Sequence, residues 1–113
     1  MLRPIKIIFL IAATICFSQA SAECSTPDPA SIPDGAKATS EEMVEAQTYV
    51  KQYIAEMELY LVCLDEEAAA LEEPPTEEQS QSHTQRHNTA VDSMEAVAAQ
   101  FNEQVRAYKQ ANP

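Results

Sequence analysis

The chain has 113 residues, with 18 Asp and Glu against 7 Lys and Arg and a net charge of −11. That sign disfavours nucleic acids and anionic membrane surfaces as partners, because both present phosphate to the solvent. A single glycine also leaves no material for the glycine-rich loops that cradle phosphates or build oxyanion holes.

The first residues, Met1-Leu2-Arg3-Pro4-Ile5-Lys6, are basic, and an apolar stretch from Ile7 to Phe17 leads into Ser18-Gln19-Ala20-Ser21-Ala22. This order predicts a signal peptide over residues 1–22, cut after Ala22. Its apolar centre is shorter than the roughly 20 residues a membrane span requires, so no stable membrane insertion is expected after cleavage. Ile15 before Cys16 and Glu23 before Cys24 argue against a lipid anchor, which calls for a small residue at that position. Cleavage removes Arg3, Lys6 and Cys16, leaving five basic residues against 18 acidic ones, a net charge of −13, and two cysteines. The expected location is periplasmic or secreted. In such a chain, two cysteines read as one disulfide, Cys24 to Cys63.

Residues 23–38 carry Pro27, Pro29 and Pro33. Fixed φ and missing amide donors exclude a helix and predict an extended, polyproline-like arm that ends in the turn Pro33-Asp34-Gly35. The remainder, residues 39–113, reads as one all-α unit, an antiparallel hairpin of two long helices over about 39–73 and 76–109.

Helix one opens at Thr39-Ser40-Glu41-Glu42, where Thr39 caps and Glu42 completes a capping box. Met43, Val50, Met57, Leu64 and Leu71 follow at heptad spacing. Ile54, Leu61 and Ala68 form a second row, and Ala46, Tyr53 and Tyr60 a third. Pro74-Pro75 ends the helix. Acidic Asp65, Glu66, Glu67, Glu72 and Glu73 weaken its last turns, since they stand where the helix dipole is already negative.

Thr76-Glu77-Glu78-Gln79 repeats the capping pattern at the start of helix two. Its rows are His87, Met94, Phe101 and Tyr108, then Val91, Ala98 and Val105, with Ala90 and Val97 beside them. The polar run 79–89 is expected to fray. A short turn favours antiparallel neighbours, which sets Leu64 opposite His87, Met57 opposite Met94, and Val50 opposite Phe101. An arm lying antiparallel along helix one brings Cys24 within reach of Cys63, about 36 Å up the helix from Thr39. Closing a loop of about 40 residues in this way contributes roughly 4 kcal/mol.

Few residues suggest chemistry. His83 and His87 stand one helical turn apart and could hold a metal ion if Asp65, Glu66 or Glu67 completed the shell. The acids Glu72, Glu73, Glu77 and Glu78 read as a solvated cluster at the hairpin tip, without the glycine-bearing loop of a calcium site. Met43, Met57 and Met94 lie on the core stripe and read as packing, not as copper ligands. No serine or cysteine sits in a strained turn beside a base. The expectation is therefore a protein with no catalytic residues and no cofactor.

The segments Pro29-Ala-Ser-Ile-Pro-Asp-Gly35, Glu41-Glu42-Met43, Tyr60-Leu61-Val62-Cys63-Leu64, His87-Asn88, Phe101-Asn102-Glu103-Gln104 and Arg106-Ala107-Tyr108-Lys109 resemble those of small exported helical proteins of Gram-negative bacteria. The resemblance implies export and brings no activity or site residue with it. The Leu-Thr-x-x-Gln motifs of small periplasmic stress chaperones do not occur.

The sequence thus points first to a non-enzymatic periplasmic or secreted interaction or scaffold protein. The alternatives are metal handling through His83 and His87, and a small holdase-type chaperone. Three-row stripes exceed what one helix–helix seam covers. The arm, with Ile32, is expected to cover part of helix one and to leave the tyrosines and the Ala90/Val97 edge partly open. That surplus would be closed by a homodimer forming a four-helix bundle or by a protein partner.

Overall fold

The computed structural model of the protein describes residues 23–113. The expected signal peptide, residues 1–22, lies outside the described residues. Two helices, α1 (Ser40–Ala69) and α2 (Glu77–Ala111), pack antiparallel across a short turn, as the periodicity and the Pro-Pro pair predict. At 1.5 Å per residue they run about 45 and 52 Å. No helix among the described residues is long and apolar enough to cross a membrane.

Both helix starts are the expected capping boxes. The Glu42 amide donates to Thr39 Oγ1 at 3.1 Å and the Thr39 amide to Glu42 Oε2 at 2.7 Å. At α2 the Gln79 amide donates to Thr76 Oγ1 at 3.1 Å and the Thr76 amide to Gln79 Oε1 at 2.9 Å. Each box satisfies two donors that a helix N-terminus otherwise leaves to water.

The C-terminus of α1 falls short of expectation. The helix stops at Ala69, with Ala70 as its cap and no basic residue in the last turn. Acidic side chains at the negative end of the dipole, ahead of a proline pair that bars helical backbone, account for the early stop. Leu71, counted on the core stripe by its spacing, is consequently outside the helix and 39 % exposed, and Ala68 is exposed as well. Helix α2, by contrast, is continuous through residues 79–89 and reaches Ala111.

The arm crosses the hairpin as a third layer. Cys24 and Cys63 are bridged, with Cα atoms 5.8 Å apart. From there the chain passes Tyr49, Gln52, Tyr53 and Glu56, which form a groove with Asp28 to Ser31. It therefore runs antiparallel to α1, as the bridge requires. It ends where the Gly35 amide donates to Gln104 Oε1 of α2 at 2.8 Å. Asp34 then turns the chain into α1: its Oδ1 accepts from the Ala36 amide at 3.1 Å, and its carbonyl accepts from Lys37 and Ala38.

This layering makes α1 the middle element. Seven of its residues are buried, namely Met43, Ala46, Val50, Tyr53, Met57, Tyr60 and Leu64, whereas Ala90 is the only buried residue of α2. Met57 and Leu64, at 2 % and 1 % exposure, are the deepest large side chains. The expected α2 stripe, from His87 through Met94 and Phe101 to Tyr108, is half-buried, because α2 has a neighbour on one side alone. Tyr53, Tyr60 and Ala90 join one core cluster with Cys24 and Ala30 packed against it. The tyrosines and Ala90, expected to stay partly open, are thus closed by the molecule's own layers, whereas Val97, on the same expected edge, is half-buried.

Candidate functional site

His83 and His87 do face the same way on α2, with ring centroids 6.4 Å apart. His83 Nε2 lies 3.2 Å from Asp65 Oδ1. The other carboxylates proposed for a metal shell are placed differently. Glu67 accepts a 3.2 Å hydrogen bond from Arg86 Nη1, and Glu66 is exposed. Among the described residues, no group of three or more His, Cys, Asp or Glu comes together as a metal-holding set. Glu72, Glu73, Glu77 and Glu78 are all exposed. Met43 and Met57 are buried and Met94 packs against the core cluster, which assigns all three to packing.

Arg86 was not marked by any motif, yet it links the two helices. Hydrogen bonding to the Tyr60 hydroxyl, and next to Glu67, holds its guanidinium above its usual pKa. It cancels charge where α1 is most acidic and offers a donor to the hydroxyl of a buried tyrosine. The sequence signal was faint: a lone cation in the polar run of α2, level with the acidic end of α1. At the other edge of the molecule Glu45 accepts from the Tyr49 hydroxyl at 3.0 Å, and this bond raises the Tyr49 pKa above its ordinary value.

Between the helix tips lies a cleft of about 540 Å³, lined by Leu64, Ala68, Leu71, Pro75, His83 and Arg86 among others. It forms because α1 stops at Ala69 and the chain swings away before Thr76. Its one guanidinium is occupied by Glu67 and its one imidazole by Asp65, the Gln79 side chain is used in the capping box, and the remaining polar groups are exposed hydroxyls and carboxylates at the rim. That combination offers an apolar dimple without a directing charge.

A different surface stands out once burial is known. Val44, Leu59 and Val62 are 61 %, 69 % and 52 % exposed. On a 3.6-residue helix they lie on the side of α1 opposite the Met57 and Leu64 rows. Thr48, Ala55, Val62 and Ala69 repeat there at heptad spacing, and Thr48 bonds its hydroxyl back to the Val44 carbonyl at 3.2 Å. The stripe was legible in principle as a second heptad row. Larger side chains that already make up a complete core face obscure it.

No family model, curated protein or solved structure matches the chain.

Proposed function

We propose that the protein is a non-enzymatic scaffold of the periplasm or extracellular space that binds a protein partner along the outer face of α1. The observation that carries this reading is the exposure of Val44, Leu59 and Val62 on a helix whose other side is closed by the arm and α2. Large aliphatic groups aligned on the outer side of a helix whose inner side is already closed are the kind of exposed apolar surface that marks interaction sites. The disulfide supports an oxidising compartment, and the charge of the mature chain keeps nucleic acid off it.

The competing readings draw on less. Metal handling rests on two imidazoles and Asp65, and a holdase would use the Tyr53/Tyr60 face that the arm covers. Of the surplus apolar rows that a four-helix dimer would close, the arm occupies those of α1, which leaves the half-buried rows of α2 as the face for self-association.

A photocrosslinking residue at position 59 tests the proposal in cells that export the protein. A discrete adduct from position 59, absent when the same residue replaces the exposed Glu95 of α2, is the expected result. Identical patterns from both positions would remove the interaction reading.

A further inference from the structure

The outer stripe of α1 has margins of one sign. Glu45 and Glu56 flank it on one side, Glu58 and the His83-paired Asp65 on the other, and Glu41 and Glu66 lie within it, against Lys51 alone. We propose that this face docks an amphipathic helix of a partner protein whose apolar seam is flanked by Lys and Arg, an inference that rests on the interaction reading above. Leu59 and Val62, one turn apart, supply the apolar anchor, while Ala55 and Thr48 keep the groove shallow enough for a second backbone to approach. The acidic margins then pair with the incoming cations and steer encounter.

Charge decides against a second copy as the occupant. The described residues carry 18 acidic against five basic side chains, so two copies repel overall. Two α1 faces set antiparallel about Ala55 bring Glu45 of one copy near Glu66 of the other, and a parallel pair sets every acid beside its twin. Lys51 against Glu58, made twice by the two-fold symmetry, is the one kind of favourable pair in the antiparallel register. An anionic bilayer is opposed by the same margins.

The probes are two synthetic helical peptides with one Leu/Ala seam, flanked by Lys in the first and by Glu in the second, and a Lys-rich peptide without the seam. Binding to the exported, disulfide-bonded protein is read by fluorescence anisotropy at low and high salt. The Lys-flanked peptide should bind alone of the three, and more weakly as salt rises. Leu59→Ser with Val62→Ser should weaken it about tenfold, the scale expected for losing an interfacial anchor. Glu58→Gln with Glu66→Gln should flatten the salt dependence. All four positions are exposed, so the fold remains for the comparison.

Equal binding of either control peptide, or unchanged affinity in the Ser variant, overturns the proposal. So does a dimer in sedimentation that the Ser variant dissolves, which would hand the face to a second copy. A crosslink at position 59 with no binding of the Lys-flanked peptide overturns the cationic partner and leaves the interaction reading standing. Failure of both ends both.

Discussion

Gly35 is the protein's one glycine, and its backbone has an ordinary negative-side φ. Glycine is therefore kept here for space. A Cβ at this position would collide with the backbone carbonyl of Gln104, and a helix backbone cannot step aside as a flexible side chain can. Gly35→Ala should destabilise the protein by about 1 to 3 kcal/mol through this overpacking, despite the smaller entropic gain that Gly→Ala brings. Gln104→Ala removes only the bond to the Gly35 amide and should cost about 0.5 to 1.5 kcal/mol. Denaturant midpoints give the ranking, and an alanine at 35 that costs nothing would mean the arm does not seat on α2. The sequence marked this glycine as part of a turn and gave no sign of its partner. Such a contact spans 69 positions and has no periodicity to betray it. The bridged cysteines are as distant as a helix is long, yet they were readable, because only two remain after the expected cleavage.

At the level of elements, the two ends of α1 differ in design. Its start has a capping box and Glu41 and Glu42 in the first turn, while its end has no basic residue. Glu66→Lys reverses one unfavourable charge in the last turn and should stabilise that end by about 0.3 to 1 kcal/mol. Slower amide exchange at Ala70 and Leu71, whose amides bond to Glu66 and Ala68, is the expected readout. Unchanged exchange would place the cause of the early stop in Pro74-Pro75 alone. Helix starts, helix identity and the buried heptad row were legible because each follows from local chemistry or from a 3.6-residue period. The stop at Ala69 was missed because apolar spacing continued to Leu71 after charge had ceased to support the helix. The partial burial of α2 was missed for another reason: periodicity names the inward side of a helix and is silent on how many neighbours lie there.

For the whole molecule, stability depends on the arm as much as on the hairpin. The bridge closes a loop across a sequence separation of 39, which corresponds to about 4 kcal/mol of chain entropy. It also holds Cys24 and Ala30 against the cluster of Tyr53, Met57, Tyr60 and Leu64. Reduction, or Cys24→Ser with Cys63→Ser, should therefore lower the unfolding free energy by several kcal/mol and expose the tyrosines, read as a shift in their fluorescence before global unfolding. Coincident transitions for oxidised and reduced protein would assign the arm no part in the fold. The outer face of α1 should be untouched by this change, because neither the arm nor the bridge covers it.

The same bridge alters where the chain can be held. A plain helical hairpin brings its two ends out side by side, but here the first described residues are fastened near the hairpin tip, at Cys63, while α2 finishes at the far end, beyond Gln104. Segments attached at residue 23 and after Ala111 are thereby kept apart by roughly 35 Å of helix. Tension applied at these two points enters at the disulfide, passes the tip and leaves along α2. Residues 25–62, which include the arm and the Leu59/Val62 surface, sit outside that load path. Tension between two such attachments is therefore expected to leave the Leu59/Val62 surface undeformed.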